Sequence, residues 1–143
     1  MSFNTALGAL NISASGLSAE RQRMEVVANN IANASVTRTP GGGPFRRQDV
    51  VFESVLTGVE SNGDPRFGGV RTVGVIADQS ELPRVYNPGH PDADQEGFVT
   101  MPNVNLPIEM VNLITATRAY EANLRVAQSF LELNQQALAL VRG

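Results

Sequence analysis

Apolar side chains recur at alternating steps of four and three residues near both ends of the chain. The first series begins at Phe3 and the second ends at Val141. Such spacing places the side chains along one side of an α-helix. The pattern therefore predicts helices over residues 3–33 and 107–141, each roughly 45–50 Å long at about 1.5 Å per residue. The two seams comprise Phe3, Leu7, Leu10, Ala14, Leu17, Arg21, Met24, Ala28 and Ile31, then Leu106, Met110, Leu113, Thr117, Tyr120, Leu124, Ala127, Leu131, Asn134, Leu138 and Val141.

The residues that flank these segments are typical of helix ends. Asn33 can adopt the left-handed conformation that stops the first helix. Asn103 or Asn105 can cap the last helix, and Pro107 suits its first turn. Gly16, inside the first segment, costs a helix about 1 kcal/mol relative to alanine, so the first helix depends on packing.

The centre of the chain has a different composition. All eight prolines and ten of the thirteen glycines lie between Pro40 and Pro107. Short β-strands are predicted over 50–59 and 70–76, separated by an Asn62-Gly63 dipeptide that favours a tight hairpin. A two-stranded hairpin is marginal alone and needs support from the helices or from a partner.

These elements predict a mainly helical α+β fold in which long terminal helices pair as a coiled coil beside a small central hairpin. The predicted divisions are 1–39, 40–105 and 106–143, with the first and last forming one domain. Burying one leucine is worth about 1.5–3 kcal/mol, so two long seams favour mutual packing. Further apolar residues lie outside the seams and would be covered by other subunits. They are Val26, Val27, Val111, Ile114, Val126 and Phe130.

The composition of the chain excludes several kinds of functional site. The chain has 143 residues, no cysteine and a net charge of −3, and all its cationic side chains are arginine. Disulfides, thiolate nucleophiles and cysteine-based metal sites are excluded, and no basic field favours nucleic acid. The segment 1–19 is too polar to span a membrane and lacks the features of a cleavable secretion signal.

Candidate chemistry in the central loops is weak. His90 is the only histidine and has no base-orienting partner in the sequence, so a hydrolase using it with Asp92 or Asp94 is a minor alternative. Residues 92–97 resemble the start of a calcium loop, but Asn103 stands where a bidentate glutamate is required. The glycines at 41–43 are interpreted as a connector. No catalytic, cofactor or metal site is predicted.

Residues 15–19 (SGLSA) and 27–33 (VANNIAN) form two motifs near the start of the chain. They resemble the N-terminal signature of the flagellar rod and hook proteins, a family of axial proteins. Residues 86–105 (YNPGHPDADQEGFVTMPNVN) are similar to the characteristic segment of one rod member. Residues 109–111 and 118–123 match the C-terminal axial motif, so the resemblance covers nearly the whole chain.

The resemblance implies a structural subunit of the proximal rod, not an enzyme, that self-assembles through its terminal helices into a tubular shaft transmitting torque to the hook. It implies export through the flagellar type III gate without signal cleavage, and residence in the periplasm-spanning rod. Implied partners are copies of itself, other rod proteins, the membrane-ring base and its adaptor, with no cofactor, nucleic acid or small-molecule substrate. The expected assembly residues are Leu7, Leu10, Leu17, Met24, Ile31, Asn29, Asn30, Asn33, Met110, Leu113, Tyr120, Asn123, Leu124 and Leu131.

Within this family Asn29, Asn30 and Asn33 would hydrogen-bond backbone groups where the chain leaves the helical region. Replacing Asn30 and Asn33 by alanine is expected to impair assembly more than export. The termini are expected to be disordered before docking, which circular dichroism of the dilute monomer can test. A soluble helical adaptor or export chaperone is the main alternative, and a discrete, fully helical dimer would favour it.

Overall fold

The computed structural model describes residues 3–59 and 65–142, with side-chain detail for 8–58 and 66–140. The fold is α+β and mainly helical, as predicted. No helix within the described ranges is long and apolar enough to cross a membrane. The elements in chain order are α1 (Phe3–Ala32), β1 (Gln48–Val59), β2 (Pro65–Ala77), β3 (Arg84–Tyr86), β4 (Phe98–Thr100) and α2 (Leu106–Arg142).

The two helices end by different hydrogen bonds. At the start of α2 the Asn105 side-chain oxygen accepts a hydrogen bond from the Ile108 amide at 3.2 Å, so the predicted cap is confirmed. At the end of α1 the prediction for Asn33 was wrong, because no residue other than glycine has a positive φ in the described ranges. Asn33 instead donates its side-chain amide to the Asn29 carbonyl at 2.8 Å, which satisfies an acceptor that the helix end leaves open.

The predicted central hairpin corresponds to β1 and β2, which pair in a two-stranded sheet and are longer than expected. The Thr57 hydroxyl donates to the Arg66 carbonyl at 3.3 Å, and Arg71 bonds Glu53. These pairs show that the strands run in opposite directions. The Asn62-Gly63 turn lies outside the described residues.

A second two-stranded sheet, β3 with β4, was not predicted. Its register is antiparallel and pairs Arg84 with Thr100 and Tyr86 with Phe98. Each strand has only three residues, which is too short for an alternating pattern to be distinguished from a loop. Gly97 precedes β4 with a φ of 85°, a conformation that favours glycine.

The chain divides into two compact units. The first unit comprises Met1–Gln22, Val51–Gly74 and Thr115–Gly143, and the second comprises Arg23–Val50 and Val75–Ile114. Each unit takes residues from both helices and from the central region.

The first unit has a core of small side chains. Ser13, Ala19 and Ala116 are buried there. The second unit buries Val27 and Val99 together with the polar side chains of Asn30 and Glu109. The buried positions of both helices are therefore mostly small or polar.

The predicted seams do not coincide with these buried faces. Ala14, Arg21 and Ala28 of the α1 seam are exposed. On α2 the seam residues Leu113 and Tyr120 are partly buried, whereas Leu106, Met110, Leu124, Leu131 and Leu138 are exposed. The side chain of Leu7 is outside the described set. Small and polar side chains occupy the buried positions, and the larger apolar side chains of the seams are partly buried or exposed.

Candidate assembly surfaces

A cluster of polar side chains, here called the polar anchor, joins three segments of the second unit. It consists of Asn30, Arg47, Gln48 and Glu109. The Asn30 side-chain oxygen accepts from the Gln48 amide at 2.9 Å, and its NH₂ group donates to the Gln48 carbonyl at 2.8 Å. The same NH₂ group donates to Glu109 Oε2 at 2.9 Å. One fully buried carboxamide thus ties α1 to the start of β1 and to the first turn of α2.

Arg47 supplies the positive charge that a buried carboxylate requires. Its Nε donates to Glu109 Oε1 at 2.8 Å, and its Nη1 donates to Asp49 at 3.1 Å. Burial opposes the charge of Arg47, but the hydrogen bonds from Glu109 and Asp49 outweigh that effect, so the pKa of the guanidinium is raised. Both carboxylate oxygens of Glu109 are therefore bonded, which allows the side chain to be completely buried.

Asn103 extends the polar anchor toward the segment after β2. Its side-chain oxygen accepts from the Arg47 amide at 2.8 Å, and its NH₂ group donates to Ser80 Oγ at 2.8 Å. The Asp78 amide also donates to the Arg47 carbonyl at 2.7 Å. Hydrogen bonds from the backbone and side chain of Ser80 lower the pKa of Asp78. Asn103 therefore holds the irregular chain in place.

The three asparagines singled out in the sequence have separate roles. Asn30 lies within the polar anchor and bonds the backbone of β1, and Asn33 bonds the final turn of α1. Asn29 is exposed and donates to the Gln48 side chain at 3.4 Å. Two of the three therefore bond backbone groups where the chain leaves α1.

Sequence reasoning did not identify Arg47 and Glu109 as key residues. Glu109 is the only acidic residue in the first turn of α2 and stands between the apolar residues Ile108 and Met110. A carboxylate between apolar residues needs a cationic or hydrogen-bonding partner if it is buried, and this is the sequence feature that could have identified Glu109. The partners could not be identified, because Arg47 lies 62 positions away in the sequence and Asn30 lies 79 away.

In the first unit, two glycines lie where one element comes close to another: Gly16, between α1 and α2, and Gly69, between β2 and α1. A Cβ built on Gly16 of α1 would lie 2.8 Å from Asn123 Nδ2 of α2. Gly69 of β2 has a φ of 115°, and a Cβ there would lie 2.2 Å from Ser15 Oγ. The Ser15 hydroxyl also accepts from the Val70 amide at 3.1 Å. The absence of a side chain at these two glycines lets α2 and the hairpin contact α1 directly.

The large apolar side chains of α2 are mostly exposed. At Met110 and Leu131 the exposed fractions are 57% and 53%. Leu10, Leu17, Met24 and Ile31 of α1 are partly buried, as is Asn123 of α2. The exposed set, here called the α2 apolar residues, consists of Leu106, Ile108, Met110, Val111, Ile114, Leu124, Val126, Leu131, Leu133, Leu138 and Leu140.

The loop residues considered for chemistry have structural contacts. His90 Nδ1 accepts from the Asp92 amide at 3.0 Å, and Asp92 accepts from Thr37 Oγ1 at 2.8 Å. Asp94 accepts from the amides of Glu96 and Phe98. The Phe98 hydrogen bond, aided by Arg84, lowers the pKa of Asp94. Across residues 3–59 and 65–142, no three or more histidine, cysteine, aspartate or glutamate side chains lie close enough together to hold a metal ion.

Comparison with known proteins gave matches at both ends of the chain. A family model described as flagella basal body rod protein matches residues 10–38. A second model, described as the C-terminal part of the flagellar basal body rod FlgEFG proteins, matches residues 95–140. These ranges include most of α1 and nearly all of α2.

Three similar proteins share the name flagellar basal-body rod protein FlgC. The Borreliella burgdorferi protein is 42% identical over 94% of this chain and 96% of its own. The Salmonella typhimurium protein is 38% identical with the same coverage. The Bacillus subtilis protein is 37% identical over 95% of this chain and 98% of its own. The similarity therefore covers nearly the full length of each protein.

Proposed function

The chain belongs to the FlgC family of flagellar basal-body rod proteins and is a structural subunit of the rod rather than an enzyme, and we propose that it polymerises through its terminal helices. In the rod, α1 and α2 would pack as a coiled coil against helices of neighbouring subunits. Neighbours would be copies of this chain and other rod proteins, and the innermost subunits would meet the membrane-ring base and its adaptor.

The exposure of the α2 apolar residues carries this proposal. Removing apolar surface from water is worth about 25 cal/mol per Å², and a stable interface buries about 800 Å² on each partner. A single helix that exposes eleven large apolar side chains offers a surface of that kind. α1 already approaches α2 at Asn123 and at Glu109, so we expect the exposed apolar side chains to be covered by another molecule.

In the proposed assembly the polar anchor does not form the interface but fixes the positions of the helix ends. Its hydrogen bonds and ion pair are directional, so they fix where α1 ends and where α2 begins. Asn30 and Asn33 would thus set the geometry from which both helices enter the polymer. Their replacement by alanine should reduce rod formation while export continues.

The proposed mechanism is mechanical. Subunits that bury apolar side chains against several neighbours through non-identical surfaces form an open helical array, and such an array can be a tube. The tube would span the periplasm and transmit torque from the motor to the hook. We propose that each subunit reaches it unfolded, through the type III export gate and without signal cleavage.

A strain that lacks its own proximal rod subunit of this family provides the test. Expression of this chain should restore rods and motility, whereas Leu131→Ser with Leu138→Ser should not, because both side chains would be buried in the polymer. Gln128→Ser with Gln135→Ser is the matched control on the same helix and should behave as the wild type. Normal rods in the leucine variant would contradict the proposed role of the α2 apolar residues.

A further inference from the structure

In the second unit, the side chain of Tyr86 on β3 is exposed and yet held in place. It is 64% exposed, and the adjacent Val85 is 50% exposed. The Tyr86 and Phe98 rings meet edge to face, with centroids 5.3 Å apart and planes at 67°. A Cβ on Gly97 would lie 2.9 Å from Tyr86 Cε2, so this glycine provides space for the ring. An aromatic side chain fixed in advance loses little entropy on binding.

Acidic groups outnumber basic ones around this ring. Arg84 lies over the Phe98 ring at 4.9 Å and pairs with Asp94 and, at 3.8 Å, with Glu96. The Glu96 side chain is 76% exposed, and Glu81 is exposed nearby in the sequence. One arginine is therefore paired with two carboxylates, those of Asp94 and Glu96, which leaves an excess of negative charge beside Tyr86. We call Val85 and Tyr86 with these carboxylates the tyrosine knob.

In the first unit, side chains within residues 125–133 of α2 line a shallow, open depression of about 290 Å³. Its lining is mostly apolar, and Val126 and Leu133 are 44% and 55% exposed. Arg125 lies at its edge and is exposed, and no described residue forms an ion pair with it. We call this depression the α2 cleft; it is lined by Arg125, Val126, Ser129, Phe130 and Leu133.

We propose that the tyrosine knob of one subunit docks into the α2 cleft of a second copy of this chain. The Tyr86 ring would contact Val126, Phe130 and Leu133, while Arg125 would bond the carboxylate of Glu96. An aromatic anchor in an apolar pocket, with charged groups at its rim, is the usual composition of the energetic centre of an interface. The phenol hydroxyl would stay at the solvent edge, where its hydrogen bonds are kept.

The match in charge favours a second copy as the occupant. The knob is exposed and has an excess of negative charge, whereas the cleft is a shallow apolar depression beside a positive side chain that no described carboxylate pairs with, so the two patches are complementary in charge. The two patches are different parts of one chain, so the contact is heterologous and can repeat without closing. The inference rests on the proposed function and specifies one contact within the polymer.

Disulfide cross-linking in isolated basal bodies tests this contact directly, since the natural chain has no cysteine. A chain carrying both Val85→Cys and Ser129→Cys, which keeps the Tyr86 ring and its apolar contacts, should give a ladder of linked oligomers on oxidation, and each single variant should give none. Rods that contain the double variant but show no ladder would overturn the contact while leaving the proposed function intact. Absence of the wild-type chain from basal bodies would instead overturn the proposed function.

The single variant Val85→Cys also tests the identity of the occupant. In an otherwise wild-type rod, a bifunctional cross-linker attached to the introduced thiol should capture another copy of this chain. Capture of a different rod protein alone would overturn the proposal that a second copy occupies the cleft.

Charge reversal in the double-cysteine chain tests the role of Arg125. Arg125→Glu should lower the ladder yield about tenfold, a change that corresponds to about 1.4 kcal/mol. Adding Glu96→Arg to that chain should restore the yield, because each contact would again join opposite charges. Arg118→Glu, which changes an exposed arginine on α2 outside the cleft, is the matched control. Equal losses in the Arg125 and Arg118 variants, or no recovery in the swap, would overturn the ion pair.

Discussion

The polar anchor and the α2 apolar residues differ in exposure to solvent in the opposite sense to their polarity. In the polar anchor a carboxamide and a carboxylate are completely enclosed, and each is satisfied by several hydrogen bonds. Along α2 leucine, isoleucine, valine and methionine side chains remain in contact with solvent. A protein that folded only for its own stability would reverse this arrangement. Directional bonds join the segments of the polar anchor, and we propose that the exposed apolar surface of α2 is covered by neighbours.

The difference between the two regions makes them separable by mutation. A change within the polar anchor should destabilise the free subunit, because it leaves a buried group without a partner. A change among the α2 apolar residues should leave the free subunit intact and prevent assembly. The following measurements test this difference between residues that stabilise the free subunit and residues that do not.

Glu109→Ala should give the largest loss of stability. It removes the buried carboxylate that accepts from both Asn30 and the Nε of Arg47, so each donor loses one of its hydrogen bonds inside the polar anchor. We expect the free energy of unfolding to fall by about 3 kcal/mol, measured by urea denaturation. Glu96→Ala is the control, because that side chain is 76% exposed and should change stability little. A loss of equal size in both variants would contradict the importance of the polar anchor.

Gly69→Ala should give an intermediate loss within the first unit. Gly69 has a positive φ, and its new Cβ would meet Ser15 Oγ at 2.2 Å and the Ile12 Cα at 3.5 Å. We expect a loss of about 1–3 kcal/mol. Gly74→Ala on the same strand is the control, because nothing lies within 4 Å of its Cβ position. If both variants are equally stable, Gly69 does not hold the hairpin against α1.

Acidification should have a smaller, local effect through Asp94. Its pKa is lowered in the folded chain by the Phe98 amide and Arg84, so the unfolded chain binds protons first as pH falls. The stabilisation is complete above the ordinary aspartate pKa of about 3.9 and disappears as pH falls through the lower folded value. The Tm of Asp94→Asn should depend less on pH in that window. An unchanged pH profile would contradict the contribution of Asp94.

Leu140→Ser should have the smallest effect on the free subunit. The side chain is 85% exposed, so its replacement removes almost no buried apolar area. We expect a change within about 0.5 kcal/mol by urea denaturation. A large loss would mean that this end of α2 packs within the free subunit.

The sequence predicted the elements better than their contacts. The four-three pattern identified α1 and α2 because it persists over many turns, and the cap at Asn105 followed from local chemistry. The buried faces were displaced from the predicted seams because close packing at Ser13, Gly16 and Ala116 depends on small size, which a hydrophobic pattern does not register. The polar anchor could not be predicted, because its partners become neighbours only after folding.

Thiol labelling of Leu131→Cys in the free subunit and in isolated rods tests the central claim most directly. The natural chain has no cysteine, so the reagent reports one position, and Ala116→Cys provides a buried reference. We expect rapid labelling at position 131 in the free subunit and protection in the rod, with position 116 slow in both. Equal labelling of position 131 in the two states would show that assembly does not cover the α2 apolar residues.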